Sequence, residues 1–170
     1  MNREGNKSSI ITRNTMNAQV THLDPIRIVM LRHTGPYDGL GSVFEKLWGW
    51  VESHNIPAER WIGIYWDNPD EVPTEKLRSA ACVEIPADYQ VTDSGGLSLI
   101  LDEIKGGEYA TTTHTGPYEN LEQIWSELTS YCENTIRRPI AQNPAFEVYV
   151  NDPSDTPPNQ LITELYMPLT

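Results

Sequence analysis

The chain has 170 residues, with 24 acidic against 12 basic side chains and a net charge of −12. A chain of this length buries about 70% of its unfolded surface, so neither a disulfide nor a metal is needed to stabilise a core. The negative charge argues against direct binding of nucleic acid, and no apolar stretch approaches the roughly 20 residues of a membrane helix.

The first residues lack the apolar run of a signal peptide, and Cys82 and Cys132 fit neither a zinc site nor a secreted disulfide framework. We therefore expect a cytoplasmic protein without metal or cofactor. Residues 1–17 are polar and lack periodicity, which predicts a disordered leader, followed by one domain over residues 18–170.

An internal repeat organises that domain. The pentapeptide HTGPY begins at His33 and again at His114, 81 residues later. A strand-like stretch precedes each copy, from Ile26 and from Gly107. Apolar residues at helical spacing follow each copy and predict one amphipathic helix per unit, with Leu40, Val43, Phe44, Leu47, Trp50 and Val51 in the first and Leu121, Ile124, Trp125, Leu128, Tyr131 and Cys132 in the second.

Two further strands follow each helix. In the first unit they are predicted over about 61–67 and 78–85, and Tyr65 and Leu77 match Tyr149 and Leu161 at an offset of 84 residues. The pattern is β-α-β-β twice, in half-units of about 18–87 and 97–170. It predicts an α+β fold, with a mostly antiparallel sheet and helices on one face. A ligand cleft is expected where the halves meet.

The two units differ at two positions that bear on function. Glu147 replaces Gly63, and Glu164 replaces Ala80, at the same offset. Strand alternation places each acid on the same face as a tyrosine two residues away, Tyr149 and Tyr166.

If both faces turn toward the junction, two acids and two phenols converge in one cleft. Tyr65 and Trp66 would add aromatic walls, and such a cleft suits a planar or cationic molecule. In the alternative reading the glutamates face solvent and the tyrosines cover the helices. His33 and His114 end strands within turn sequences without a third ligand, so a turn role is predicted rather than a metal or haem site.

HTGPY with its helix, IGIYWDNPDEVPTEKLRSAACVEIP, EIKGGEYA, FEVYVND and LITELYMPL together resemble the GyrI-like family over residues 18–170. That family includes DNA gyrase inhibitory proteins and the effector-binding domains of multidrug-responsive regulators. The resemblance implies a pseudo-twofold fold with a cleft between the halves. It also implies that Glu147 and Glu164 match acidic positions that meet cationic aromatic drugs, with Tyr149 and Tyr166 as pocket partners.

Three functions remain open at this stage. The first is a free-standing protein that binds toxic aromatic or cationic compounds or modulates DNA gyrase, as the resemblance implies. The second, which the resemblance also implies, is a hydrolase of cyclopropane-bearing alkylating compounds, in which Glu164 would act as general base. The third is a ligand-sensing module that acts through a partner protein.

Overall fold

The computed structural model describes residues 17–170, so the leader predicted over 1–17 lies outside the described residues except for Asn17. Two α-helices and eight β-strands form in this range. Their bounds are β1 Gln19–Leu23, β2 Ile26–Thr34, α1 Leu40–Ser53, β3 Trp61–Tyr65, β4 Arg78–Glu84, β5 Ile100–Ile104, β6 Gly107–Thr115, α2 Leu121–Ser130, β7 Ala145–Tyr149 and β8 Ile162–Pro168. Within this range no helix is both long and apolar enough to cross a bilayer.

The duplication is more extensive than the sequence pattern indicated. The elements β1, β2 and α1 recur as β5, β6 and α2 at an offset of 81 residues, and β3 and β4 recur as β7 and β8 at an offset of 84. Each unit is therefore β-β-α-β-β, with one strand more than predicted at its start. The three added residues lie between the helical segment, which ends with a π-helical turn at Tyr131–Thr135, and β7.

All eight strands join one antiparallel sheet in the order β1-β6-β8-β7-β3-β4-β2-β5. The first strand of each unit pairs with the other unit, because β1 lies against β6 and β5 lies against β2. The two units also meet at the centre, where β3 pairs with β7. The halves thus share backbone hydrogen bonds at three places and form one continuous sheet.

Two short links force this sheet to curl. β1 and β2 lie six positions apart in the sheet, but only Asp24 and Pro25 connect them. Six strand spacings amount to about 29 Å in a flat sheet, whereas a link of two residues reaches about 11 Å. The link from β5 to β6 imposes the same constraint, and its Gly106 touches Pro25. The outcome is a half-barrel.

The two faces of the half-barrel are filled differently. The concave face carries one continuous apolar cluster to which both units contribute, including Ile28, Ile62, Tyr109 and Phe146. The convex face carries two separate clusters, one under α1 and one under α2. Both helices therefore lie on one side of the sheet, as predicted, and a groove runs between them.

Gly106 lies where the two short links meet, and we call this contact the seam. Replacing Gly106 by alanine is expected to change the free energy of unfolding in the opposite direction to the same replacement at Gly49, in α1. In Gly106→Ala the new Cβ would lie 2.9 Å from Cδ of Pro25 and 3.0 Å from the Leu23 carbonyl oxygen, so the free energy of unfolding is expected to fall by about 1–3 kcal/mol. Gly49, in α1, has no atom within 4 Å of an added Cβ, and Gly49→Ala is expected to raise it by about 0.5–1 kcal/mol. Urea denaturation measures both, and equal effects would contradict a tight seam.

Candidate ligand-binding groove

The groove between α1 and α2 has a volume of about 2020 Å³, with β3 and β7 as its floor. Small-molecule pockets usually have volumes of roughly 300–1,000 Å³. The groove is therefore a long open trough, and a drug-sized ligand would occupy only part of it.

The floor is centred on a single residue pair. Gly63 of β3 pairs directly with Glu147 of β7, and these two residues are counterparts in the two units. The pseudo-twofold axis of the duplication thus passes between a glycine and a glutamate. The strongest chemical difference between the units lies where they face each other.

Three neutral donors hold the Glu147 carboxylate, which is only 4% exposed. The indole nitrogen of Trp125 in α2 donates to Oε1 at 2.6 Å. The hydroxyl of Tyr149 donates to Oε2 at 2.7 Å, and that of Tyr65 lies 3.3 Å from the same oxygen. The two phenol oxygens are 2.8 Å apart. No basic side chain within the described range forms an ion pair with Glu147.

The absence of a side chain at Gly63 creates the space for this network. A Cβ at that position would lie 2.6 Å from the hydroxyl of Tyr149 and 3.0 Å from that of Tyr65. Both phenols fold over the glycine to reach Glu147. Glycine is required here for close approach rather than for an unusual backbone angle.

The pKa values of all three ionisable groups in this cluster, Glu147, Tyr65 and Tyr149, are raised. Burial raises the pKa of Glu147, and the hydrogen bonds from Trp125, Tyr149 and Tyr65 offset this only in part. Burial also raises the pKa of Tyr65 and Tyr149 well above the usual range for a phenol, and the charge of Glu147 raises them further. The phenols therefore remain neutral donors at physiological pH, while the carboxylate is in an environment that penalises its charge.

Aromatic rings from both units surround the acid. Phe44 and Tyr118 each meet the ring of Tyr149 edge-on, with centroids 5.4 and 5.6 Å away, and Tyr37 meets Tyr65 at 4.9 Å. Trp48 of α1 lines the groove and is 54% exposed. The walls thus present ring faces and edges to an occupant of the groove.

The charge of the lining has one sign. Of the residues in the described range, no lysine, arginine or histidine lines the groove. Ten acidic residues do, namely Asp38, Glu45, Asp67, Asp70, Glu71, Glu119, Glu122, Glu133, Glu147 and Asp152. Among these ten, Asp67 forms an ion pair, with Arg78 at 2.8 Å.

The structure brings together half of the predicted cluster. Glu147, Tyr149 and Tyr65 meet on the groove floor, but Glu164 and Tyr166 lie on the opposite, concave face. The register explains this, because Glu147 pairs with Leu165 and Glu164 lies beside Val148. The expectation that the two acids converge is wrong.

The concave face uses the remaining predicted residues for packing. Tyr166 stacks on Phe146 with centroids 4.7 Å apart and donates a hydrogen bond to Glu164 at 3.1 Å. Trp66 packs against the same concave cluster, with the Arg32 guanidinium 5.8 Å from its ring centroid. Trp66 also lines the groove between α1 and α2, as predicted. Glu164, the predicted general base, does not line the groove between α1 and α2.

Sequence reasoning missed Trp125 as a contact of the acid. Its position in the apolar stripe of α2 predicted only packing, and the signal was its counterpart, Phe44, which lacks a hydrogen-bond donor. His33 contacts the turn that follows β2, since its Nε2 lies 3.0 Å from the Pro36 carbonyl oxygen.

Burial of Glu147 makes stability depend on pH in a defined direction. Its raised pKa means that the folded state binds the proton more tightly than the unfolded chain. Its contribution to the free energy of unfolding is fully present below the usual carboxyl pKa and is lost as pH rises through the raised value. Glu147→Gln stays neutral and lacks this loss. Urea denaturation should show the free energy of unfolding of the variant gaining on that of the parent as pH rises above the usual carboxyl pKa of about 4.3.

The matched control is Glu164→Gln, which removes the same charge from the opposite face. Its stability relative to the parent is expected to change less over this pH range than that of Glu147→Gln. Parallel pH profiles for the parent and Glu147→Gln would contradict a penalised carboxylate at the groove floor.

Comparison with known proteins agrees with this architecture. A family model described as the GyrI-like small molecule binding domain matches residues 16–170. A protein named DNA gyrase inhibitor from Citrobacter rodentium is 36% identical over 139 residues, which cover 81% of this chain and 87% of that protein.

Two solved structures share the fold at low sequence identity. EcmrR is 16% identical with a TM-score of 0.76, and the match covers 91% of this chain, 98% of the EcmrR C-terminal domain and 57% of EcmrR in its complex with DNA. SAV2435 bound to tetraphenylphosphonium is 15% identical with a TM-score of 0.62, over 91% of this chain and 94% of that one. Together with the duplicated half-barrel and its groove, the family match shows that this chain belongs to the GyrI-like small-molecule-binding domain family.

Proposed function

We propose that this protein binds a cationic aromatic small molecule in the groove between α1 and α2, with Glu147 as the counter-charge. The observation that carries the proposal is a buried carboxylate with three neutral donors and no basic residue among the described groove lining. A cation in the ligand would supply the charge that the protein itself does not.

The energetics favour a ligand cation over water at this position. A carboxylate loses hydration on burial, and hydrogen bonds from neutral donors compensate only in part. A cation that reaches Glu147 would regain Coulomb energy in surroundings of low polarity. The rings of Tyr149, Phe44 and Tyr118 offer further attraction to a cation and flat contact area.

The remaining acids act at longer range. Nine further acidic residues line the groove and create a negative potential at its mouth. Such a potential raises the local concentration and association rate of cations and repels anions. The tetraphenylphosphonium ion bound to SAV2435 is a cation with aromatic rings, which supports the same ligand class here.

Ethidium, a fluorescent planar aromatic cation, tests the proposal. Glu147→Gln keeps the shape of the side chain and removes its charge, so the Kd for ethidium is expected to rise at least tenfold, roughly the loss seen when a buried charge partner is removed. Fluorescence titration measures the Kd. Glu164→Gln, the control on the concave face, is expected to stay within about twofold of the parent because Glu164 lies on the other side of the sheet and does not line the groove.

Equal weakening by both variants would attribute the effect to net charge and would exclude Glu147 as the counter-charge. No binding of ethidium or of tetraphenylphosphonium to the parent would exclude the proposed ligand class. Thermal melts of each variant show whether a lost signal reflects a lost fold.

DNA gyrase inhibition is a second candidate function. It is supported by a relative of 36% identity that carries the name DNA gyrase inhibitor and by the net charge of −12, which suits a basic protein surface. The purified protein is expected to slow plasmid supercoiling by gyrase, and the effect should weaken as salt rises. Supercoiling that is unaffected at a large molar excess of the protein would contradict this function while leaving ligand binding intact.

A further inference from the structure

The two units form corresponding loops after β3 and β7, and these loops carry different charges. In the first unit the side-chain oxygen of Asn68 accepts a hydrogen bond from the backbone N–H of Asp70 at 2.9 Å. In the second unit its counterpart, Asp152, accepts the backbone N–H of Ser154 at 2.8 Å. Since a neutral amide makes the same hydrogen bond, the turn does not require the charge of Asp152.

The tyrosines beside these loops also differ. In the first unit the Tyr37 hydroxyl donates to the Asp67 carbonyl oxygen at 2.5 Å. Its counterpart, Tyr118, has no hydrogen-bond partner for its hydroxyl within residues 17–170, although its ring packs against Tyr149. Tyr118 therefore presents to the groove its ring and a hydroxyl without a hydrogen bond, whereas the hydroxyl of Tyr37 is bonded to the Asp67 carbonyl oxygen.

Tyr118 lines the groove together with two acidic residues, Glu147 and Asp152. Burial raises its pKa, and the charges of Glu147 and then Asp152 raise it further, so both acids are within electrostatic range of this phenol. Hydrogen bonds from Ser154 lower the pKa of Asp152, which keeps it anionic. The second unit thus contributes to one groove an acid on β7, a second acid in the loop after β7 and the ring of Tyr118, which packs against Tyr149.

We propose that the groove contains two cation subsites, one at Glu147 and one at Asp152, and that it selects aromatic ligands with two positive charges. One cationic centre would lie at the floor, and the connecting part of the ligand would pass along the ring of Tyr118 to a second cation at Asp152. This inference rests on the proposed function, because it extends the ligand from the Glu147 subsite. The groove volume of about 2020 Å³ leaves room for that extension.

Ethidium and propidium form a matched pair of probes. They share the phenanthridinium ring, and propidium carries a second, quaternary ammonium on a propyl chain. Propidium is expected to bind the parent roughly two- to fivefold more tightly than ethidium, the gain that one solvent-exposed ion pair contributes. The advantage should shrink as salt is raised.

The variant Asp152→Asn introduces the amide that the first unit already carries at this position, so the turn is expected to be retained. It should abolish the advantage of propidium, measured as the ratio of the Kd values for ethidium and propidium in the same variant, so that a general loss of negative charge, which weakens both dyes, does not change the readout. The control is Asp155→Asn, which removes the same charge from the same loop at a residue that does not line the groove. Asp155→Asn should still bind propidium more tightly than ethidium.

The outcomes separate this inference from the proposed function. If ethidium binds the parent and the ratio of the two Kd values is the same in the parent, Asp152→Asn and Asp155→Asn, the second subsite is excluded and the Glu147 site stands. If both aspartate variants lose the advantage, it reflects net charge and the inference is overturned. If neither dye binds the parent, both the proposed function and the second subsite are contradicted.

Discussion

The antiparallel pairing of β3 with β7 is the interaction on which the rest of the molecule depends. It joins the two units at the centre of the sheet and forms the floor of the groove. It also puts Gly63 next to Glu147, which gives the acid its burial and the two phenols their space. Helix positions, groove and charge distribution are arranged around this pair of strands.

The curl of the sheet determines which face can bind a ligand. Because each unit lends its first strand to the other, the concave face closes into one packed core that includes Tyr109, Phe146 and Tyr166. The convex face cannot close in this way, since each helix covers only its own unit. The gap between the helices is thus a direct result of the duplicated topology.

Much of this architecture followed from the sequence. The repeated HTGPY and the constant offsets predicted the duplication, the helices, the central strands and a cleft between the halves. Glu147 stood out because its counterpart is glycine. The short edge strands β1 and β5 gave weaker signals, since β5 is ILDEI and mixes charged with apolar residues.

The face occupied by Glu164 was beyond sequence reasoning. Alternation relates Glu164 to Tyr166, but only the pairing of Glu147 with Leu165 shows that these residues turn away from the groove. Most of β8 is buried on both faces, so no polar face distinguishes one side. The hydrogen bond from Trp125 was equally hidden, because helical periodicity identifies a buried stripe without showing which ring nitrogen meets an acid.

The location of Glu147 on the axis has a consequence for how such a site can arise. In an assembly of two identical subunits, the residue at this position would face its own copy. Two glutamates would oppose like charges across adjacent strands, and two glycines would leave no charge at all. Fusion of the two copies into one gene removes the requirement that they be identical. One half can then supply the carboxylate while the other supplies the empty space, so the joined pair can hold a singly charged site on its pseudo-twofold axis, which a dimer of identical subunits cannot.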